Sequence, residues 1–123
     1  MSTSRLRGLR GATTVPSDDA EGIVGATAEL LATLLDRNGL SAGDVVSIVF
    51  TATPDLTAAF LATAARSVGL DQVPVLSASE FDVPGAVARC VRILMHVYPF
   101  GRDDEFRPVY LHGAVHLRSD LGE

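Results

Sequence analysis

The chain contains no lysine: all ten of its basic residues are arginine. No side-chain amine is therefore present to form a Schiff base with a carbonyl substrate or to hold pyridoxal phosphate. A P-loop is excluded for the same reason, because its phosphate contact needs a lysine. Cysteine occurs once, at Cys90, which excludes an intrachain disulfide framework and a cysteine-rich metal site. A single cysteine favours a reducing, cytoplasmic setting. No run of about 18 uncharged apolar residues is present to cross a bilayer. The opening residues lead into no apolar stretch of the secretory kind. The formal net charge is -5, without a basic tract, so nucleic acid and an anionic membrane surface are poor partners.

What remains is a chain of 123 residues, 47% of them hydrophobic. That suffices for a substantial core, and residues 1–123 read as a single domain with no internal repeat and no linker long enough to divide it.

Residues 6–14 read as a strand, with β-branched Thr13, Thr14 and Val15 at its end. Asp18-Asp19-Ala20-Glu21 opens a helix whose acidic first turn suits the positive end of the dipole. Ile23, Ala26, Thr27, Leu30, Leu31, Leu34 and Leu35 repeat at the spacing of one buried helical face, and Asn38-Gly39 is its stop. Val45 to Thr51 is a short β-branched strand, and Ala52-Thr53-Pro54-Asp55 a turn. Residues 57–68 read as a second helix ending near Gly69. Val73-Pro74-Val75-Leu76 is a brief strand, placed at an edge by its proline. Residues 77–86 form a polar connection, Pro99 to Pro108 a charged loop, and Val109 to Leu117 one or two final strands.

The segment 88–98 admits two readings. As a helix it carries a polar stripe of Arg89, Arg92 and His96. As a strand it places Val91, Ile93, Met95 and Val97 on one face and Cys90, Arg92, Leu94 and His96 on the other. Its valine and isoleucine content favours the strand. The order is then β-α-β-α-β-loop-β-β, an α+β fold with a mixed β-sheet and helices packed on one face.

Arg92 lies in Cys90-Val91-Arg92-Ile93-Leu94-Met95, and a guanidinium stays charged at physiological pH. In such surroundings it calls for an anion. Arg10 repeats the situation near the N-terminus. Two readings are open: arginines that meet an anionic ligand, and arginines that face solvent from an edge strand. His112 and His116, if on one strand, stand roughly 13 Å apart, too far for one metal ion. No Ser-His-Asp or Cys-His arrangement stands out. Cys90 reads as a small packed hydrophobe.

Six segments carry a resemblance. Arg7-Gly8-Leu9-Arg10-Gly11-Ala12-Thr13-Thr14-Val15, Ala52-Thr53-Pro54-Asp55-Leu56, Glu80-Phe81-Asp82-Val83, Cys90-Val91-Arg92, Val109-Tyr110-Leu111 and Leu117-Arg118-Ser119-Asp120-Leu121 follow one another along almost the whole chain. In order and spacing they resemble the monofunctional, trimeric α/β-barrel class of chorismate mutases. Each alone is weak and together they are specific. The resemblance implies a ferredoxin-like subunit, assembly into a homotrimeric pseudo-α/β-barrel, and active sites between neighbouring subunits. It implies conversion of chorismate to prephenate, on the route to aromatic amino acids. This one-substrate pericyclic rearrangement needs no cofactor, metal or nucleophile.

By position, the resemblance assigns Arg92 to the ether oxygen and a substrate carboxylate, Arg10 to a carboxylate, and Glu80 to the substrate hydroxyl. Tyr110 matches a carboxylate-binding tyrosine. Phe60, Val75, Leu76 and Leu117 match apolar walls of a pocket that also takes in Ser77, Ala78 and Ser79. Arg66 matches an arginine at the mouth and Arg118 one in the tail. Thr63 stands where a lysine can occur and Ser77 where a cysteine can, so one rim contact is lost and one hydroxyl is gained. Phe60, Thr63 and Arg66 would come from the neighbour of the subunit that supplies Arg10, Glu80, Arg92 and Tyr110. Without the resemblance, Tyr110 and the apolar residues read equally as core, and Arg66, Arg118 and Glu80 as solvated side chains. The rivals are a trimeric module that binds a carboxylate ligand, or hydrolyses an imine, at the same kind of subunit cleft, and a protein-interaction domain.

Overall fold

A computed structural model describes residues 5–99 and 105–119, the side chains of 118 and 119 excepted. Its centre is a five-stranded sheet formed by β1 (Arg7–Thr14), β2 (Val45–Ala52), β3 (Val75–Ser79), β4 (Cys90–Val97) and β5 (Val109–Tyr110). The strand order is β3-β2-β4-β1-β5. β4 is antiparallel to both β1 and β2, while the outer pairs β2–β3 and β1–β5 are parallel. The sheet is therefore mixed. Helices α1 (Ala20–Arg37) and α2 (Ala62–Ser67) pack on one side of it.

Alternation along the strands decides what faces the helices. On β4, Val91, Ile93, Met95 and Val97 are buried, whereas Arg92 and His96 are half-buried and Leu94 is exposed. Of the two readings open for this segment, the strand holds. On α1, Ile23, Thr27, Leu30, Leu31 and Leu34 are the buried stripe, as the spacing predicts. They meet Leu9, Ile48 and Phe50 of the sheet in one core. Gly11 lets β1 lie against α1, since a Cβ there would stand 2.9 Å from Leu34 Cδ1 and 3.2 Å from the Val109 carbonyl oxygen.

The ends of α1 are built by side chains. Asp19 is the N-cap and accepts from the Gly22 amide at 2.7 Å. Asn38 closes the C-terminus. Its Nδ2 donates to the Leu34 and Arg107 carbonyls at 2.9 and 3.0 Å, and its Oδ1 accepts from the Arg107 amide at 2.8 Å. That buried amide ties the approach to β5 to the end of the helix.

Three segments depart from the sequence reading. The second helix begins at Ala62, not near 57. Asp18, across the chain, accepts from the Thr57 and Ala58 amides at 2.8 and 3.1 Å and from the Thr57 hydroxyl at 2.7 Å. Residues 57–61 are held by that carboxylate in a turn. Ser77–Ser79, read as polar connection, extend the edge strand, because Phe50, Thr51 and Ala52 offer a parallel ladder whatever the side chains. The final strands shrink to Val109–Tyr110, followed by a 3-10 helix over His112–Ser119. β5 starts opposite Gly11 and Ala12, close to the end of β1, so a longer parallel strand would run out of partner. The chain instead turns at His112, whose φ is 52°, and the Gly113 amide donates to Thr14 Oγ1 at 2.9 Å.

The packing at Gly11 yields a paired prediction. Gly11→Ala forces β1 and α1 apart and should cost about 1–3 kcal/mol, seen as a lower Tm in thermal melts. Gly25→Ala, on an exposed turn of α1 with nothing within 4 Å of the new methyl, should raise the Tm through a gain of up to about 1 kcal/mol.

Candidate active site

The face of the sheet turned away from the helices carries Arg92, Arg10 and Tyr110 of the candidate residues. Register aligns one row of residues across all five strands: Ala78, Thr51, Arg92, Ala12 and Tyr110. Small residues beside Arg92 leave its long side chain room to lie along the sheet. The next row holds Leu76, Val49, Leu94 and Arg10, so Arg10 stands one alternation further along on the same face. A central strand paired on both sides fixes the base of Arg92, which aims its guanidinium well.

Glu80 follows β3 directly, and its amide donates to the Ala52 carbonyl at 2.8 Å. Its carboxylate Oε2 lies 3.1 Å from Arg92 Nε, an ion pair between half-buried partners. The same Oε2 accepts from the Thr51 hydroxyl at 2.5 Å. Arg92, Glu80, Ser79, Phe81, Val83 and Ala86 line a recess of about 390 Å³. Anion, cation and apolar wall thus meet around a recess with room for a small ligand.

Tyr110, at the far end of the row, is half-buried beside Cys90, Ala12 and Ala114, with Leu117 in the same cluster. Cys90 is fully buried there, the packed hydrophobe the sequence predicts. The Arg118 side chain lies outside the described residues.

The other predicted site residues gather elsewhere. Phe60 is 84% exposed, and with Ala52, Leu56, Ser77, Ala78 and Ser79 it lines a second recess of about 240 Å³ between β3 and the turn before α2. Arg66 and Thr63 lie on α2, where an Arg66 terminal nitrogen donates to Thr63 Oγ1 at 3.3 Å. Val75 begins β3 half-buried, and Leu76 beside it is 66% exposed. No described recess holds both Arg92 and Phe60; Ser79 borders the two that hold one each. Arg92 and Phe60 thus line separate recesses of one chain.

The sequence reading missed the residues that close the Glu80–Arg92 connection. Thr51 is one. Thr53 is another: its amide donates to the Cys90 carbonyl at 3.0 Å, and its hydroxyl accepts from the Cys90 amide at 2.9 Å. That hydroxyl also donates to Asp55 at 2.5 Å, and Asp55 accepts from the Arg89 amide at 2.9 Å. Arg89 has a φ of 48° and is held there by this bond and by its own Nε donating to the Val15 carbonyl at 3.0 Å. The sequence signals were the turn composition of Thr53-Pro54-Asp55 and its place in one of the segments that carry the resemblance, neither of which assigned these side chains a bond. His112 also lies off any strand, so the spacing argument against metal does not apply to it; its Nε2 stands 3.0 Å from Glu29 Oε1.

The Thr53 hydroxyl and the Arg89 amide hold the Asp55 carboxyl below the usual carboxylate range. The Thr57 amide and hydroxyl do the same for Asp18. A carboxyl with a lowered folded-state pKa contributes stability at pH above its unfolded value and loses it as pH falls through the folded one. The Tm should therefore fall between about pH 5 and pH 3. Asp55→Asn should lower the Tm at neutral pH and flatten that acid slope. An acid slope as steep as the parent's in Asp55→Asn would remove Asp55 from the account.

The family model described as chorismate mutase type I matches residues 6–121. A chorismate mutase AroH from Thermus thermophilus is 47% identical over 117 residues, covering 94% of this chain and 96% of its own. A chorismate mutase AroH from Bacillus subtilis is 43% identical over 117 residues, 94% and 92% of the two chains. Among solved structures, a chorismate mutase from Clostridium thermocellum superposes with a TM-score of 0.83 at 42% identity, covering 89% of this chain and 98% of that one.

Proposed function

The chain belongs to the type I chorismate mutases, and from that premise we propose how its residues carry out the rearrangement of chorismate to prephenate. In this reaction a C–O bond breaks as a C–C bond forms, and negative charge grows on the ether oxygen. Catalysis rests on holding the compact, chair-like conformer and on meeting that charge.

Arg92 meets it. The observation that carries this reading is the Arg92–Glu80 ion pair on the sheet face opposite the two α-helices, beside a recess that both residues line. One preorganised donor at a developing oxyanion contributes about 3 kcal/mol or more of barrier lowering. Glu80 accepts from the substrate hydroxyl and offsets the arginine charge. Arg10 and Tyr110 bind substrate carboxylate, with Leu117 as apolar wall and Arg118 in the tail as a further cation.

The remaining residues come from a second copy of the chain. Phe60, Thr63, Arg66, Val75, Leu76, Ser77, Ala78 and Ser79 of one subunit complete the site begun by Arg92 and Glu80 of the next, in a homotrimer. Two features support this. Arg92 and Phe60 line different recesses of one chain, and the sheet face opposite the helices presents Val49, Leu76 and Leu94 without cover from either α-helix. The setting is the cytoplasm, consistent with a single cysteine, which is buried; among the described residues no helix is long and apolar enough to cross a membrane.

Purified protein should accelerate the ultraviolet decay of chorismate without added metal or cofactor, and absence of any acceleration would refute the activity. For the shared site, Arg92→Ala and Phe60→Ala proteins should each be impaired, and activity should reappear when they are mixed under conditions of subunit exchange. Sedimentation should give a trimer at micromolar concentration. A fully active monomer would contradict the shared site.

A further inference from the structure

We infer that Thr51 is a positioning residue for the rearrangement, acting through Glu80; the inference rests on the role proposed above for that carboxylate. Glu80 sits at the exit of an edge strand, where its backbone bond to Ala52 fixes the main chain but not the carboxylate. Two side chains fix the carboxylate, and both land on Oε2: the Thr51 hydroxyl at 2.5 Å and Arg92 Nε at 3.1 Å. No described hydrogen bond takes Oε1, which leaves that oxygen to accept from the substrate hydroxyl.

The two contacts are unequal in what they constrain. An ion pair is weakly directional, so a carboxylate held only by Arg92 turns about that contact. A hydroxyl donor is directional, and a bond to a charged acceptor is shorter and stronger than one to a neutral group. Thr51 also stands on β2 directly opposite Arg92, between Arg92 and Ala78 in the cross-strand row. Its β-branched side chain has few χ1 options on a strand. The register that sets Arg92 therefore also sets the donor that orients its counter-ion. Without the hydroxyl, Glu80 can swing further onto the guanidinium and compete for the donors that the ether oxygen needs.

The test is a double-mutant cycle read by steady-state turnover of chorismate. Thr51→Val keeps the shape and removes the donor. It should lower kcat by roughly tenfold to a hundredfold, the range for a hydrogen bond to a charged group, with a much smaller change in KM. Thr51→Ser restores a hydroxyl and should recover most of the loss. In a Glu80→Gln background the same Thr51→Val change should cost little more, because the group it positions has already been altered. Should Thr51→Val fail to fold in thermal melts, Thr51→Ala takes its place in the cycle. Turnover near the parent's in Thr51→Val, or an equal fold loss with and without the Glu80 carboxylate, would overturn the inference. Full activity in Glu80→Gln would instead overturn the role of Glu80 on which it stands.

Discussion

A guanidinium that cannot lose its charge, fixed on the sheet face opposite the two α-helices, is the constraint around which this protein is arranged. Arg92 springs from β4, the strand with the most complete pairing, between Ala12 and Thr51. Half-buried, it would be costly without an anion, and Glu80 at 3.1 Å supplies one. In the proposed role the same cation also meets a substrate carboxylate and the charge that grows on the ether oxygen during bond cleavage. The rest of the fold serves that geometry. Helices α1 and α2 cover one side of the sheet, and the 3-10 helix packs Ala114 against Ala12 and Cys90 at one end of the other.

The connection from Glu80 to Arg92 shows how much structure this geometry needs. The chain leaves β3 at Glu80 and re-enters the sheet at Cys90. Thr53 grips Cys90 through both its amide and its hydroxyl, and Asp55 holds the Arg89 amide where the backbone is strained. These bonds tie the Cys90 end of the loop to the turn after β2, and the Glu80 amide, donating to the Ala52 carbonyl, ties the other end to the same place. The carboxylate and the guanidinium, twelve positions apart by number (92 − 80), thereby keep one distance.

Much of this was legible in the sequence where burial imposes a period. Val91, Ile93, Met95 and Val97 alternate with Cys90, Arg92, Leu94 and His96 because one sheet face is covered. The α1 stripe and the Asn38-Gly39 stop were legible for the same kind of local reason. What was not legible depended on distant partners. Residues 57–61 have helical composition, yet Asp18 takes the Thr57 and Ala58 amides. Ser77–Ser79 look like a loop, yet β2 offers them a ladder. The 3-10 helix at His112–Ser119 follows from where β1 ends, not from the β-branched run that read as strand. In the site, Arg92 and Arg10 stood out as charges among apolar residues, and their roles, with Glu80 and Tyr110, came through a resemblance that covers nearly the whole chain. Thr51 was missed, because only the β2–β4 register reveals that it faces the same way as Arg92.

The most direct measurement of the central claim replaces Arg92 by citrulline through chemical synthesis, keeping the shape of the side chain and deleting its charge. If the cation meets the ether oxygen as charge develops, kcat should fall by at least roughly a thousandfold while KM changes far less. Normal turnover in the citrulline protein would make Arg92 a structural arginine and contradict the account.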